Sequence, residues 1–246
     1  MPIAPRVALV TGGASGIGRA FAERLGSDGL ALAIADLKDS TDAVRSIRQS
    51  GGTATSYACD VGDPDSVTAL RVAVEADHGQ VDVLVNCAGT FPLISFEDTS
   101  FEMWEQVLRV NLTSMFLTCK QFVPPMASRG FGRVVNISSR TFWINSPNYS
   151  AYIAAKAGVI GLTRALATEY GAYGVTVNAL APGLTRTEAS SVNATEELFQ
   201  ALAKRQAIPR VPVPADLVGV ISFLASDDSS FMTGQTFMVD GGLVRL

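Results

Sequence analysis

Histidine is almost missing from this chain: His78 is the only one among 246 residues. Serine hydrolases and zinc hydrolases usually draw their base or ligands from histidine, so both classes lose a working group. His78 itself precedes Gly79 at an expected helix end, where capping carbonyls suits it better than chemistry. Cysteine is scarce too. Cys59, Cys87 and Cys119 are odd in number, widely spaced and form no Cys-x-x-Cys pair, which argues against a disulfide frame or a metal site. Three reduced thiols in a cytoplasmic protein are the expectation. Charged residues make up only 17%, the net charge is −4, and no basic stripe appears, which is the wrong balance for gripping nucleic-acid phosphates. No apolar run approaches the roughly 18 to 20 residues that span a bilayer. The stretch Met1–Arg6 before the first strand candidate is too short for a signal peptide.

What the chain does have is apolar material, 48% of it, arranged in a regular alternation. Short β-branched runs at Val7–Thr11, Ala31–Ala35, Thr53–Ala58, Val81–Asn86, Gly132–Ile137, Thr176–Leu180 and Thr236–Val239 read as strands. Helical patterns fill the gaps at about 16–28, 40–50, 64–78, 100–128, 151–172 and 214–226. Strands alternating with helices predict βαβ units and a doubly wound parallel sheet of about seven strands, helices on both faces, within one α/β domain spanning 1–246. Residues 184–213 break the rhythm, with Pro209, Pro212 and a short helical candidate near Glu196–Arg205. The apolar residues Leu184, Val192, Leu198, Phe199 and Leu202 favour a substrate lid that packs over something.

Thr11-Gly12-Gly13-Ala14-Ser15-Gly16-Ile17-Gly18 follows the first strand and opens a helix. Gly12, Gly16 and Gly18 supply a tight turn, backbone approach to a pyrophosphate and close helix packing, while Ser15 and Ile17 lie between them at the helix N-terminus. In this context the fold is Rossmann-type. Asp36 ends the second strand 18 residues beyond Gly18, where a carboxylate accepts from ribose hydroxyls and repels a 2′-phosphate. The neutral Leu37 follows it, so NAD is favoured over NADP; Arg19 and Lys38 keep NADP open. Asp60-Val61 suits the adenine, with a turn-forming Asp as the competing explanation. Asn86, Ala88 and Gly89 end the fourth strand where small residues admit a ribose.

Tyr152 and Lys156 lie one turn apart on a single helix face. An ammonium beside a phenol stabilises the phenolate and brings its pKa down from about 10, making Tyr152 a usable acid and base. Ser139, 13 residues before Tyr152, is placed to orient a substrate oxygen; Ser138 is its rival, since only one of two strand neighbours faces the site. Tyr149 is the rival tyrosine. Asn111 sits mid-helix, where a polar residue is either exposed or buried and bonded.

These motifs resemble the short-chain dehydrogenase/reductase family, in its branch of about 250 residues, along essentially the whole chain: Thr11 to Gly18, Asp60, Asn86 to Gly89, Asn111, Ser139, Tyr152, Lys156, Pro182-Gly183 with Thr187, and Asp240-Gly241-Gly242. Cys87 departs from the pattern, where Asn is commoner. The resemblance implies an oxidoreductase that moves a hydride between a nicotinamide and a carbonyl or alcohol. It implies that Asn111 holds a helix bulge and a water linking Lys156 to solvent. Pro182, Gly183, the Thr185 backbone and Thr187 would meet the nicotinamide, Lys156 its ribose. A homotetramer built on the 100–128 and 151–172 helices is implied as well. Within the family, Phe91-Pro92-Leu93-Ile94 and the Met238–Arg245 tail are similar to 1-phenylethanol dehydrogenases, and the stretch from Ser146 to Glu169 to pyridoxal 4-dehydrogenases.

Candidate pocket walls are Phe91, Pro92, Leu93, Thr141, Phe142, Trp143, Tyr149 and Leu184, with no Arg or Lys among them. They favour a neutral, hydrophobic or aryl secondary alcohol and its ketone. A pyridoxal-type or other small cyclic alcohol, a 3-oxoacyl ketoreductase and a non-catalytic dinucleotide sensor remain as alternatives.

Overall fold

A computed structural model describes residues 5–144 and 146–245. Seven parallel strands form one sheet in the order β3-β2-β1-β4-β5-β6-β7: β1 Val7–Thr11, β2 Ala31–Asp36, β3 Ala54–Ala58, β4 Val83–Asn86, β5 Gly132–Ile137, β6 Val175–Pro182 and β7 Thr236–Val239. The helices are α1 Gly16–Ser27, α2 Thr41–Gln49, α3 Pro64–His78, α4 Phe101–Leu108, α5 Ser114–Ser128, α6 Thr141–Ile144, α7 Ser150–Tyr170, α8 Glu188–Asn193, α9 Glu196–Arg205 and α10 Val218–Ala225. The expected doubly wound Rossmann-type sheet is therefore present. Strand boundaries differ from the expected ones by two residues or fewer.

Alternation along each strand divides the core. Ala8 and Val10 face Phe21 and Leu25 of α1, Ile47 of α2 and Leu217, Ile221 and Leu224 at α10. Leu9 points the other way, toward Leu70 of α3, Phe122 and Met126 of α5 and Ala167 of α7. Both faces of the sheet are covered, which is why its strands read as unbroken apolar runs. Each fully buried Leu, Ile or Phe contributes about 1.5–3 kcal/mol.

Three local features differ from expectation. The 100–128 segment is not one α-helix: residues Arg109–Thr113 widen into a π-turn between α4 and α5. The four-residue α6 lies outside the expected helices, because Thr141–Ile144 is too short to show a period. The segment 184–213 carries two helices, and of its apolar residues Phe199 is buried while Val192 is 81% and Leu198 44% exposed. His78 does end α3, but its Nε2 has no partner, so it caps nothing through that nitrogen.

No helix of the described residues is long and apolar enough to cross a membrane, and no cluster of three potential metal ligands occurs among them.

Candidate active site

The order of the strands reverses between β1 and β4, and the loops leaving their carboxyl ends part there to leave a crevice. Gly12, at φ +69°, crosses directly over the end of β4: a Cβ on it would lie 2.8 Å from Ala88 Cα. A Cβ on Gly18 would lie 2.1 Å from Gly12 O, so α1 packs against its own approach turn. Ser15 starts α1 without using its side chain as a cap, leaving the first N–H groups of the helix directed outward. These backbone surfaces fit a pyrophosphate. The Asp36 carboxylate accepts from Ala14 N at 3.0 Å and Lys38 N at 2.9 Å, so it braces the glycine loop as well as ending β2. Leu37 beside it is 74% exposed. Asp60 accepts from Gly62 N at 2.8 Å, as a turn-forming Asp does, and pairs with Arg109 at 3.6 Å, while Val61 is buried in the core.

The side chain of Asn86 is engaged within the fold. Its amide donates to Asn136 Oδ1 at 2.8 Å and its oxygen accepts from Thr118 Oγ1 at 2.7 Å; Asn136 in turn donates to Thr163 Oγ1 at 3.0 Å. The side chain faces inward and ties β4, β5, α5 and α7 together. Thr11 Oγ1 accepts from Cys87 N at 3.1 Å and Ala88 N at 3.2 Å, fixing the β4 end to β1. Cys87 is a free thiol, half-buried, and burial pushes it up to about 12.

Helix α7 brings Tyr152 and Lys156 to this crevice. Lys156 is 3% exposed and donates to Ile137 O at 2.8 Å; its Nζ lies 5.6 Å from the Tyr152 ring centre. Gly89 stands against it, since a Cβ there would meet Asn111 Oδ1 at 2.8 Å and Lys156 Nζ at 3.6 Å. Asn111 is fully buried inside the π-turn, donating to Val107 O at 2.9 Å and Thr90 O at 2.8 Å and accepting from Thr90 N at 3.2 Å. The expected bulge is there.

The rivalry between serines is decided by direction. Ser138 donates to Lys156 O at 2.9 Å and is consumed in holding β5 to α7. Ser139 points to the crevice, accepting from Thr141 N at 3.2 Å and Thr141 Oγ1 at 3.0 Å.

The electrostatics do not follow the simple expectation. Burial pushes the Tyr152 phenol up to about 12, with the Ser139 hydroxyl acting the other way. Burial likewise pulls Lys156 down to about 8. An ammonium that burial itself disfavours, and that is bonded to a backbone carbonyl, does not offset the desolvation of the phenol.

Around Tyr152, the rings of Phe91 and Tyr149 lie 6.2 and 5.9 Å away. Pro92 shares a narrow cleft with Tyr149 and Tyr152. Phe142 and Trp143 pair edge to face at 5.0 Å, and Phe142 and Leu93 are 42% and 47% exposed. Leu184 is half-buried after β6. Pro182 and Gly183 continue that strand, Gly183 N donating to Val239 O at 2.9 Å. Thr185 O accepts from Ser190 Oγ at 2.8 Å, and Thr187 caps α8 while its methyl abuts Gly16. The segment after β6 therefore touches the glycine loop. Asn193 Nδ2 donates to Phe91 O at 3.1 Å, reaching the loop after β4 as well.

The glycine loop and the Tyr152–Lys156 pair share one end of the sheet, an arrangement suited to an oxidoreductase working through a nicotinamide dinucleotide. A family model described as enoyl-(acyl carrier protein) reductase matches residues 12–244. The chain belongs to the short-chain dehydrogenase/reductase family, whose fold binds nicotinamide dinucleotides. It is 40% identical over 241 residues to cis-4-hydroxycyclohexanecarboxylate dehydrogenase of Sinomonas cyclohexanicum, covering 97% of this chain and 96% of that one. Its structure superposes with TM-score 0.94 on a protein described as a gluconate dehydrogenase of Agrobacterium tumefaciens, at 33% identity and 99% and 98% coverage. A gluconate 5-dehydrogenase structure from Beutenbergia cavernae, described as NAD(P)-dependent and holding NADP at low occupancy, matches with TM-score 0.93, 37% identity and 98% and 97% coverage.

Arg140, next to Ser139, is 3% exposed. An arginine after a strand carries no motif, and its burial is visible only in three dimensions.

Proposed function

We propose that this chain is an NAD(H)-dependent dehydrogenase that interconverts a hydrophobic, ring-bearing secondary alcohol and its ketone, with Tyr152 as general acid and base. The observation that carries the reading is the meeting of Ser139, Tyr152, Lys156 and Asn111 beside the glycine loop at one crevice. Lys156 and the segment after β6 would hold a nicotinamide, which would supply the hydride acceptor for the alcohol carbon or the hydride donor for the ketone carbon. Tyr152 takes the hydroxyl proton in oxidation and returns it in reduction. Ser139 donates to the substrate oxygen and aims it at the phenol. Lys156 and Asn111 hold the groups around the phenol, and Asn111 would hold the water that links Lys156 to solvent, as the family resemblance implies.

NAD is the preferred dinucleotide in this reading, since Asp36 presents a carboxylate at the end of β2 with the uncharged Leu37 beside it. Phe91, Tyr149, Pro92 and Leu184 support an apolar ring in the pocket, consistent with the resemblance to 1-phenylethanol dehydrogenases; Thr141, Trp143, Leu93 and Phe142 form its outer wall. The relative that acts on a hydroxylated cyclohexane ring supports the ring as well. Residues 184–213 serve as the lid of a single catalytic domain, and the assembly is a homotetramer in the cytoplasm, with three free thiols suiting that compartment.

Initial rates with NAD and NADP across 1-phenylethanol, 4-hydroxycyclohexanecarboxylate and their ketones test the reading. Reduction or oxidation of at least one pair, faster with NAD, is the expected result. Inertness toward every ring alcohol, or preference for NADP, would remove it.

A further inference from the structure

The two helices between β6 and α10 are held in different ways. Phe199 and Ala203 of α9 are each 3% exposed, and the Arg186 guanidinium covers the Phe199 ring at 4.7 Å. Arg186 also grips Glu196 at 2.7 and 3.0 Å, and its backbone N–H donates to Pro212 O at 2.8 Å. Burial and charge thus fasten α9. In α8 only Ser190 is buried, and Val192 stands 81% exposed. Ser190 spends its hydroxyl locally, donating to Thr185 O at 2.8 Å and accepting from Thr187 N at 2.9 Å. Among the described residues, one hydrogen bond joins α8 or α9 to the loops around Tyr152: Asn193 Nδ2 donates to Phe91 O at 3.1 Å. The loop that receives it carries a wall of the pocket. Its Phe91 ring lies 6.2 Å from the Tyr152 ring. At the other end of that loop, Ile94 N donates to Asn148 O at 3.0 Å. Asn148 is the one described non-glycine residue at positive φ, +63°, a conformation that asparagine tolerates. The Ile94 end is therefore pinned to the turn before α7, whatever α8 does. The Phe91 end depends on α8.

We propose that Asn193 is a positioning residue that sets substrate specificity: its amide latches the end of α8 to the Phe91 carbonyl and so fixes the Phe91 ring as the wall against which a substrate ring packs. The inference rests on the dehydrogenase reading and deepens its account of the pocket. One neutral hydrogen bond shifts an equilibrium by about 2- to 10-fold. Such a latch holds the wall in place yet opens readily, while Phe199 and the Arg186 clamp keep α9 seated. A ring alcohol that reaches Phe91 gains from the latch. A short alcohol that stops at Ser139 and Tyr152 gains nothing.

Hydrogen exchange on the full chain compares the wild type with N193D, which keeps the shape of the side chain and has no N–H to donate. Amides of residues 188–193 and 90–93 exchange about 2- to 10-fold faster in N193D, while those of α9 and the thermal midpoint stay as in the wild type. N193Q retains an amide donor and recovers part of the protection. Steady-state rates read the specificity. N193D lowers the ratio of kcat/KM for 1-phenylethanol over that for 2-propanol by about 2- to 10-fold, through KM for the aryl alcohol. In an F91A background the same substitution leaves the ratio where F91A put it, because no ring remains to be positioned. A merely structural role would weaken both alcohols alike in either background. Unchanged exchange in N193D, or an unchanged ratio in an enzyme that oxidises both alcohols, overturns the proposal. Faster exchange at 188–193 and 90–93 with no alcohol oxidised sinks the dehydrogenase reading and leaves the latch standing.

Discussion

Two buried groups at opposite ends of one helical turn carry the proposed chemistry at the scale of single residues. Burial holds Tyr152 protonated, up to about 12, and pulls Lys156 down to about 8. A protonated phenol is ready to donate in ketone reduction, while alcohol oxidation gains as rising pH deprotonates it. Tyr152→Phe is expected to lower kcat by about 10²- to 10⁴-fold while NADH fluorescence titration shows dinucleotide affinity intact. Undiminished turnover in that variant would mean that another group moves the proton. Lys156 also sets a pH signature of stability. Between about 8 and the ordinary lysine value of 10.5, the unfolded chain keeps a proton that the folded chain has shed. Stability then rises with pH through that window. The thermal midpoint of the wild type, relative to Lys156→Met, should climb from pH 8 to 10.5, and a flat difference would contradict the burial of the charge.

Elements place these residues. A regular α-helix through Arg109–Thr113 would offer Asn111 no gap in its backbone, and the π-turn provides one. The amide fills it with hydrogen bonds to Val107 O and Thr90. Asn111→Leu removes those bonds from a fully buried position. We expect a loss of about 1–3 kcal/mol in chemical denaturation and a fall in kcat larger than any change in KM. Unaltered kcat would show that the bulge is scaffolding alone. The glycine loop is similarly an element-level device: its close crossing at Ala88 joins the first and fourth strands, which are distant in sequence.

For the whole molecule, the sheet order brings the ends of β1, β4 and β5 side by side, and the chain Thr118–Asn86–Asn136–Thr163 locks β4 and β5 to helices α5 and α7. Helix α5 leaves Phe116 48% exposed on its outer face. Light scattering should give four times the mass of one chain, and a monomer would remove the proposed assembly.

The alternation of apolar runs and helical patterns determined the sheet, because most strands are short unbroken apolar runs and each long helix carries its own turn-by-turn stripe. The glycines of the first turn were legible for the same reason: their steric requirement is local. So was the Tyr152–Lys156 face, since four residues along a helix always share a side. The choice of Ser139 over Ser138, the inward turn of Asn86, the upward shift of Tyr152 and the burial of Arg140 were not legible. Each depends on which groups from remote segments surround the atom, and neither desolvation nor hydrogen-bond direction is a property of neighbouring sequence. Only the packed fold decides them.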